Sequence, residues 1–149
     1  MERRVNLAAV IVAAIVHWLL GAAWFTVFAK PWIAGLGYTE EQVKQIAATM
    51  GPAPYILVLA FNIGVAYVLA RVIIGMNSQT AACGAGLGFM LGFGLAALPM
   101  LTEIVFERRP TSFALIAAGY PVIGMMIMGA ILGAWKGKQK APIAAGAGA

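Results

Sequence analysis

Residues 5–28 read VNLAAVIVAAIVHWLLGAAWFTVF, with no charged side chain in the run. A helix needs about 20 mostly apolar residues to cross ~30 Å of hydrocarbon, and this stretch is long enough. Arg3 and Arg4 precede it as they would in a secretory leader, but the apolar core of a leader is only about 7–15 residues long. The run also lacks a polar break before a small-residue cleavage site, so it reads as a retained span. Three further stretches, at about 54–75, 81–106 and 111–135, meet the same length test. They lack the strict alternation of barrel strands, and a helix satisfies its own backbone in lipid. The expected fold is all-α, an integral membrane bundle of four transmembrane helices. It forms one domain over residues 1–138, followed by a disordered tail at 139–149.

Composition agrees with this reading. Of 149 residues, 62% are apolar and 10% charged, and mean hydropathy is +0.91. A soluble domain carries about 25% charged residues, so this chain has too few to coat a globule in water. The single cysteine, Cys83, excludes an intrachain disulfide framework and a multi-cysteine metal site. The net charge of +5 is spread over loop ends and the C-terminal segment. That spread suits a membrane orientation signal, with membrane lipids as the expected partners, better than nucleic acid, which requires a clustered basic face.

An even number of spans puts both termini on one side. That side carries Arg3, Arg4, Arg71, Lys136, Lys138 and Lys140, and the other carries Lys30, Lys44, Arg108 and Arg109. The bias points to cytoplasmic termini in a bacterial inner (plasma) membrane.

The first loop contains YTEEQVKQIAATM, residues 38–50. Thr39 and Gln42 have the spacing of a capping box, and Glu40 and Glu41 fall where the helix dipole favours acids. Val43, Ile46, Ala47 and Met50 follow at i, i+3, i+4 and i+7, which predicts a short amphipathic helix on the membrane face. Trp24, Phe25, Phe28 and Trp32 lead into it. Trp24, Trp32 and Trp135 read as interfacial anchors.

Within the spans, small and polar residues carry the information. Gly84, Gly88 and Gly92 recur every four residues, with Ala96 continuing the row. Gly129 and Gly133 form a second row after Pro121. Such rows let helix backbones approach closely, either inside the bundle or at a subunit interface. At 100° per residue, Asn6, Ala13, His17 and Trp24 share one stripe of the first span, which puts His17 near the bilayer midplane. His17 is available to hydrogen-bond to a carbonyl or to Asn62, which lies mid-way along the second span. Glu103 shares a helical face with Gly92 and Ala96, so an inward glycine face would turn it inward, to pair with Arg108 or Arg109.

Several stretches resemble a family of small bacterial and fungal membrane proteins catalogued as domain of unknown function 1761. They are GAAWF (21–25), FAKPWIAGLGYTEEQ (28–42), AYVLA (66–70), FERRP (106–110) and AGYPVIGMMIMGAILGAW (118–135). The resemblance covers nearly the whole chain before the tail and implies four spans and a membrane location, without an activity. His17 departs from the family pattern, in which a small or apolar residue is usual.

No enzyme is expected. Ser78 and Ser112 lie at helix ends away from His17, the chain has no aspartate, and one histidine with one cysteine cannot supply a metal site within a protomer. The favoured class is a structural or accessory protein, acting as a homo-oligomer or as a subunit of a larger membrane complex. The alternatives are a small proton-linked transporter or channel formed by an oligomer, using His17 or Glu103, and a tetrapyrrole (haem or bacteriochlorophyll) binder. In the last, Ala13 and Gly21 would leave room beside a ligating His17; otherwise no cofactor is expected. The charge distribution is tested by cysteine labelling of cells in a Cys83→Ser background. Gln42→Cys should react with an impermeant reagent added from outside, and Lys138→Cys should not; the opposite pattern would invert the topology.

Overall fold

The computed structural model describes residues 4–77 and 79–135; the tail at 139–149 and the lysines at 136, 138 and 140 lie outside the described residues. Among the described residues there are helices and no strand. Four helical stretches are long and apolar enough to cross a membrane: Leu7–Val27, Ala53–Gly75, Ala81–Phe106 and Thr111–Ala134.

The first span, α1 (Leu7–Val27), begins where the Asn6 side chain accepts hydrogen bonds from the Ala8 and Ala9 amides, at 3.1 and 3.3 Å. It is followed by α2 (Ala29–Leu36), a short helix absent from the sequence reading. Its end is a Schellman closure: Gly37 takes φ +81°, its amide donates to Ala34, and the Tyr38 amide donates to Ile33. The amphipathic helix of the first loop is α3 (Glu40–Met50). Both arms of the Thr39–Gln42 capping box are made. Gly51, also at positive φ, ends α3, and α4 (Ala53–Gly75) forms the second span.

The third span is interrupted. It comprises α5 (Ala81–Leu91), a π-helical turn at Gly92–Ala97, and α6 (Leu98–Phe106). Pro99 has no N–H to give the Leu95 carbonyl, and wide turns of this kind relieve such a defect. The extra residue shifts every later side chain around the axis, which corrects two expectations. The row Gly84, Gly88, Gly92 is continued by Ala97, 1% exposed, rather than by Ala96. Ile104, not Glu103, then takes the inward position. Glu103 is exposed, and the Arg109 guanidinium forms its ion pair with Glu107 instead.

The fourth span, α7 (Thr111–Ala134), is the hub, touching α1, α2, α4, α5 and α6. Its tightest contact is with α5, where the two glycine rows meet inside one chain. A Cβ on Gly84 would strike the Gly129 carbonyl, one on Gly88 the Met125 carbonyl, and one on Gly133 the Thr80 carbonyl. On its other side α7 completes a core with α1 and α4, in which Ala13, Ala14, Ala66, Leu69, Ile73 and Met128 are buried. Because Gly88 meets backbone that cannot move aside, Gly88→Leu should cost at least ~3 kcal/mol. Phe89→Leu, one position round and half exposed, should stay within about 0.5 kcal/mol. Thermal unfolding in mild detergent measures both, and equal tolerance would contradict the packing.

Candidate functional site

The interface between α1 and α7 alternates large side chains with glycines. The His17 ring lies on Gly124, where a Cβ would collide with it. One turn on, Tyr120 lies on Gly21, its hydroxyl 2.8 Å from where a Cβ would stand. Next, the Trp24 ring covers Gly119, and its indole N–H donates to the Ile116 carbonyl at 3.1 Å. Large residue over glycine lets two helices interlock closely without bringing a second bulky group into the contact.

The short helix α2 then folds back onto the start of α7. Trp32 stacks on Phe113 with ring centres 4.4 Å apart. Arg109 lies over the other side of this cluster, its guanidinium 4.9 Å from the Phe113 ring centre and donating to the Gly35 carbonyl at 2.9 Å. The chain reaches this position through Arg108, which takes the left-handed φ of +53°, a conformation costing an L-residue roughly 1–2 kcal/mol. Ring contacts continue inward from Trp32 to Phe25 at 4.7 Å, Phe25 to Tyr120 at 5.3 Å and Tyr120 to His17 at 5.0 Å. An unbroken line of aromatic contacts thus runs from Phe113, in the first turn of α7, to the buried histidine.

This line forms one flank of a groove of about 760 Å³. Trp18, Ala22 and Phe25 line it from α1, and Tyr55 and Val58 from α4. Val43 and Met50 of the amphipathic helix α3 overhang it. Its polar groups are mostly engaged within the protein. The Trp18 indole donates to the Tyr55 carbonyl at 3.2 Å, the Thr26 hydroxyl to Ala22 at 2.7 Å, and the Tyr120 hydroxyl makes a long bond to the His17 carbonyl at 3.4 Å. What faces the groove is therefore mostly carbon. Its size lies within the ~300–1,000 Å³ typical of small-molecule sites.

The residues singled out from sequence divide between this region and others. His17 is buried, 6% exposed, but neither ring nitrogen has a hydrogen-bond partner, and the expected bond to a carbonyl or to Asn62 is not made. Asn62 is buried at 8% exposure on α4, its amide nitrogen unpartnered. Glu103 stands apart on α6. Trp24 and Trp32 are half-buried, the first held by its indole hydrogen bond to the Ile116 carbonyl and the second by its stack on Phe113. Trp135 follows the end of α7 and is 45% exposed. The sequence reading passed over Phe113, Tyr120 and Gly124; their signal was the coincidence of AGYP and FERRP with the tryptophan-rich stretch among the family-like motifs.

A family model described as a protein of unknown function (DUF1761) matches residues 8–133, which takes in the whole groove. No curated protein and no solved structure matches the chain. The fit of His17 to Gly124 is testable by a double-mutant cycle. Gly124→Ala should destabilise the protein by ~1–3 kcal/mol, whereas in a His17→Ala background most of that cost should disappear. Additive effects on the melting temperature would show that the two residues do not share space.

Proposed function

Because the chain belongs to the DUF1761 family, a description that assigns no activity, its role has to be read from its own geometry, and we propose that it is an integral membrane protein whose groove beneath α3 holds a lipophilic guest. The observation that carries this reading is the pairing of a roughly 760 Å³ apolar hollow with the amphipathic helix α3, which lines it with Val43 and Met50. Ile46 and Met50 of α3 are 40% and 49% exposed. A guest in the groove would give that face a partner. The proposal involves no covalent step, and it keeps both termini on the cytoplasmic side of a bacterial inner membrane.

A second reading, an accessory or oligomer-forming subunit, is supported by the third span. It is the least buried of the four, and Gly86 and Gly94 on it would place a Cβ in open space. The rows at Gly84, Gly88, Gly92, Gly129 and Gly133 support intrachain packing and are not available to such an interface. The tetrapyrrole reading of His17 fares worse: Tyr120 stacks on the ring and Gly124 lies against Nε2, where a macrocycle's metal would have to stand. A proton-linked transporter using Glu103 loses the inward carboxylate on which it depended.

The test is to purify the full chain in mild detergent and weigh it with bound small molecules by native mass spectrometry. The wild type should carry lipid-sized mass. Ala22→Trp and Val58→Trp, which fill the groove, should weaken retention about tenfold, the equivalent of ~1.4 kcal/mol. Unchanged retention in both variants would defeat the proposal.

A further inference from the structure

A second hollow of about 460 Å³ adjoins the groove, the two sharing Thr26, Ala29, Ile33 and Val43 in their walls. The first is almost wholly apolar, whereas the second is edged by Lys30 of α2 together with Glu40 and Lys44 of α3. The salt bridge between Arg109 and Glu107 is the one found among the described residues, so neither ammonium is closed off by an ion pair. Glu40 precedes Lys44 by four residues and offsets part of the positive charge, leaving an excess of one at this mouth.

Depth fits the same division. Lys30 stands just past the outer end of α1, which ends at Val27. From Thr26 to Trp18, the groove follows eight residues of α1, about 12 Å at ~1.5 Å per residue. One leaflet of a bilayer has roughly 15 Å of hydrocarbon, half of ~30 Å. The apolar hollow therefore extends over most of one leaflet, and the charged hollow lies at headgroup height. Shape alone would suit any apolar molecule, but a charged end at headgroup height and an apolar end along the leaflet match an amphiphile oriented as in the surrounding membrane.

We infer that the groove takes one acyl-chain lipid with an anionic, phosphate-bearing headgroup, its tail along α1 between Thr26 and Trp18 and its phosphate against Lys30 and Lys44. This rests on the groove being a guest site and adds the chemical class of the guest. Val43 lines both hollows, so α3 covers the junction of head and tail and contributes one of the two ammonium groups.

The experiment uses the delipidated full chain in a non-ionic detergent, with native mass spectrometry as the readout. The probes are phosphatidylglycerol, phosphatidylethanolamine and phosphatidylcholine of equal chain length, and inorganic phosphate alone. Phosphatidylglycerol should bind most tightly, and the Lys30→Gln/Lys44→Gln variant should lose about fivefold or more of that preference, since one lysine near an anionic surface contributes ~1 kcal/mol. Lys30→Arg/Lys44→Arg should retain it. Inorganic phosphate without a tail should not compete. Equal binding of the three lipids, a preference for phosphatidylethanolamine through Glu40, or an unaltered preference in the glutamine variant would each overturn the headgroup assignment while leaving the groove as a guest site. Failure of every lipid to bind would overturn both. The melting temperature of the ligand-free glutamine variant should match the wild type, because both lysines are exposed, so lost binding cannot be ascribed to unfolding.

Discussion

The bundle depends on a contact in which two helix backbones touch with no side chain between them. Lipid tails are as apolar as leucine, so burying leucines against one another gives little reason for helices to associate in a membrane. Close backbone approach replaces that missing drive with dispersion and with weak Cα–H···O contacts. Here the approach is made by Gly84 and Gly88 against Gly129, Gly133 and the Met125 carbonyl. It fixes α7 against the third span, leaving the opposite side of α7 to receive α1, α4 and α2.

On that opposite side the rule changes from glycine against glycine to ring against glycine. His17, Tyr120 and Trp24 each occupy the space that a missing Cβ leaves on the partner helix. The rings do more than fill space: Tyr120 belongs both to the interlock with α1 and to the flank of the groove, and Phe25 connects it to Trp32. Aromatic pairs of this kind contribute about 0.5–1.5 kcal/mol each beyond their buried area, so the groove's flank is among the stiffer parts of the molecule. Its roof is α3, bracketed by Gly37 and Gly51 at positive φ and packed chiefly on α2.

The four spans could be read from the chain because bilayer thickness imposes a length that few other structures share, and α3 because Thr39 and Gln42 form a complete local signal. α2 was harder. Its residues continue the apolar run of α1 with only Lys30 intervening, although Gly37 marked its end for a reader looking for a Schellman closure. The candidate site was legible mainly as isolated parts. His17 was correctly placed inside the bundle, but helical spacing within one span cannot reveal that Gly124, three spans further along the chain, would lie on its ring. Glu103 was misplaced for a specific reason: a 100° wheel assumes an unbroken α-helix, and the π turn before Pro99 invalidates it. The tryptophans look like interfacial anchors by position, and only the tertiary structure adds that the Trp24 indole meets the Ile116 carbonyl.

That π turn also changes how the third span can vary over time. A residue gained or lost in an ordinary transmembrane helix rotates everything beyond it by about 100°, and one half of the helix then presents the wrong surface. Here the turn at Gly92–Ala97 already takes up such an offset between two segments that each face α7 correctly. The segment α5 meets α7 through glycines and α6 through Ile104, with Phe113 and Ala117. The offset therefore sits within the turn itself, and deleting one of its residues would leave a plain α-helix with Ile104 still on the face toward α7.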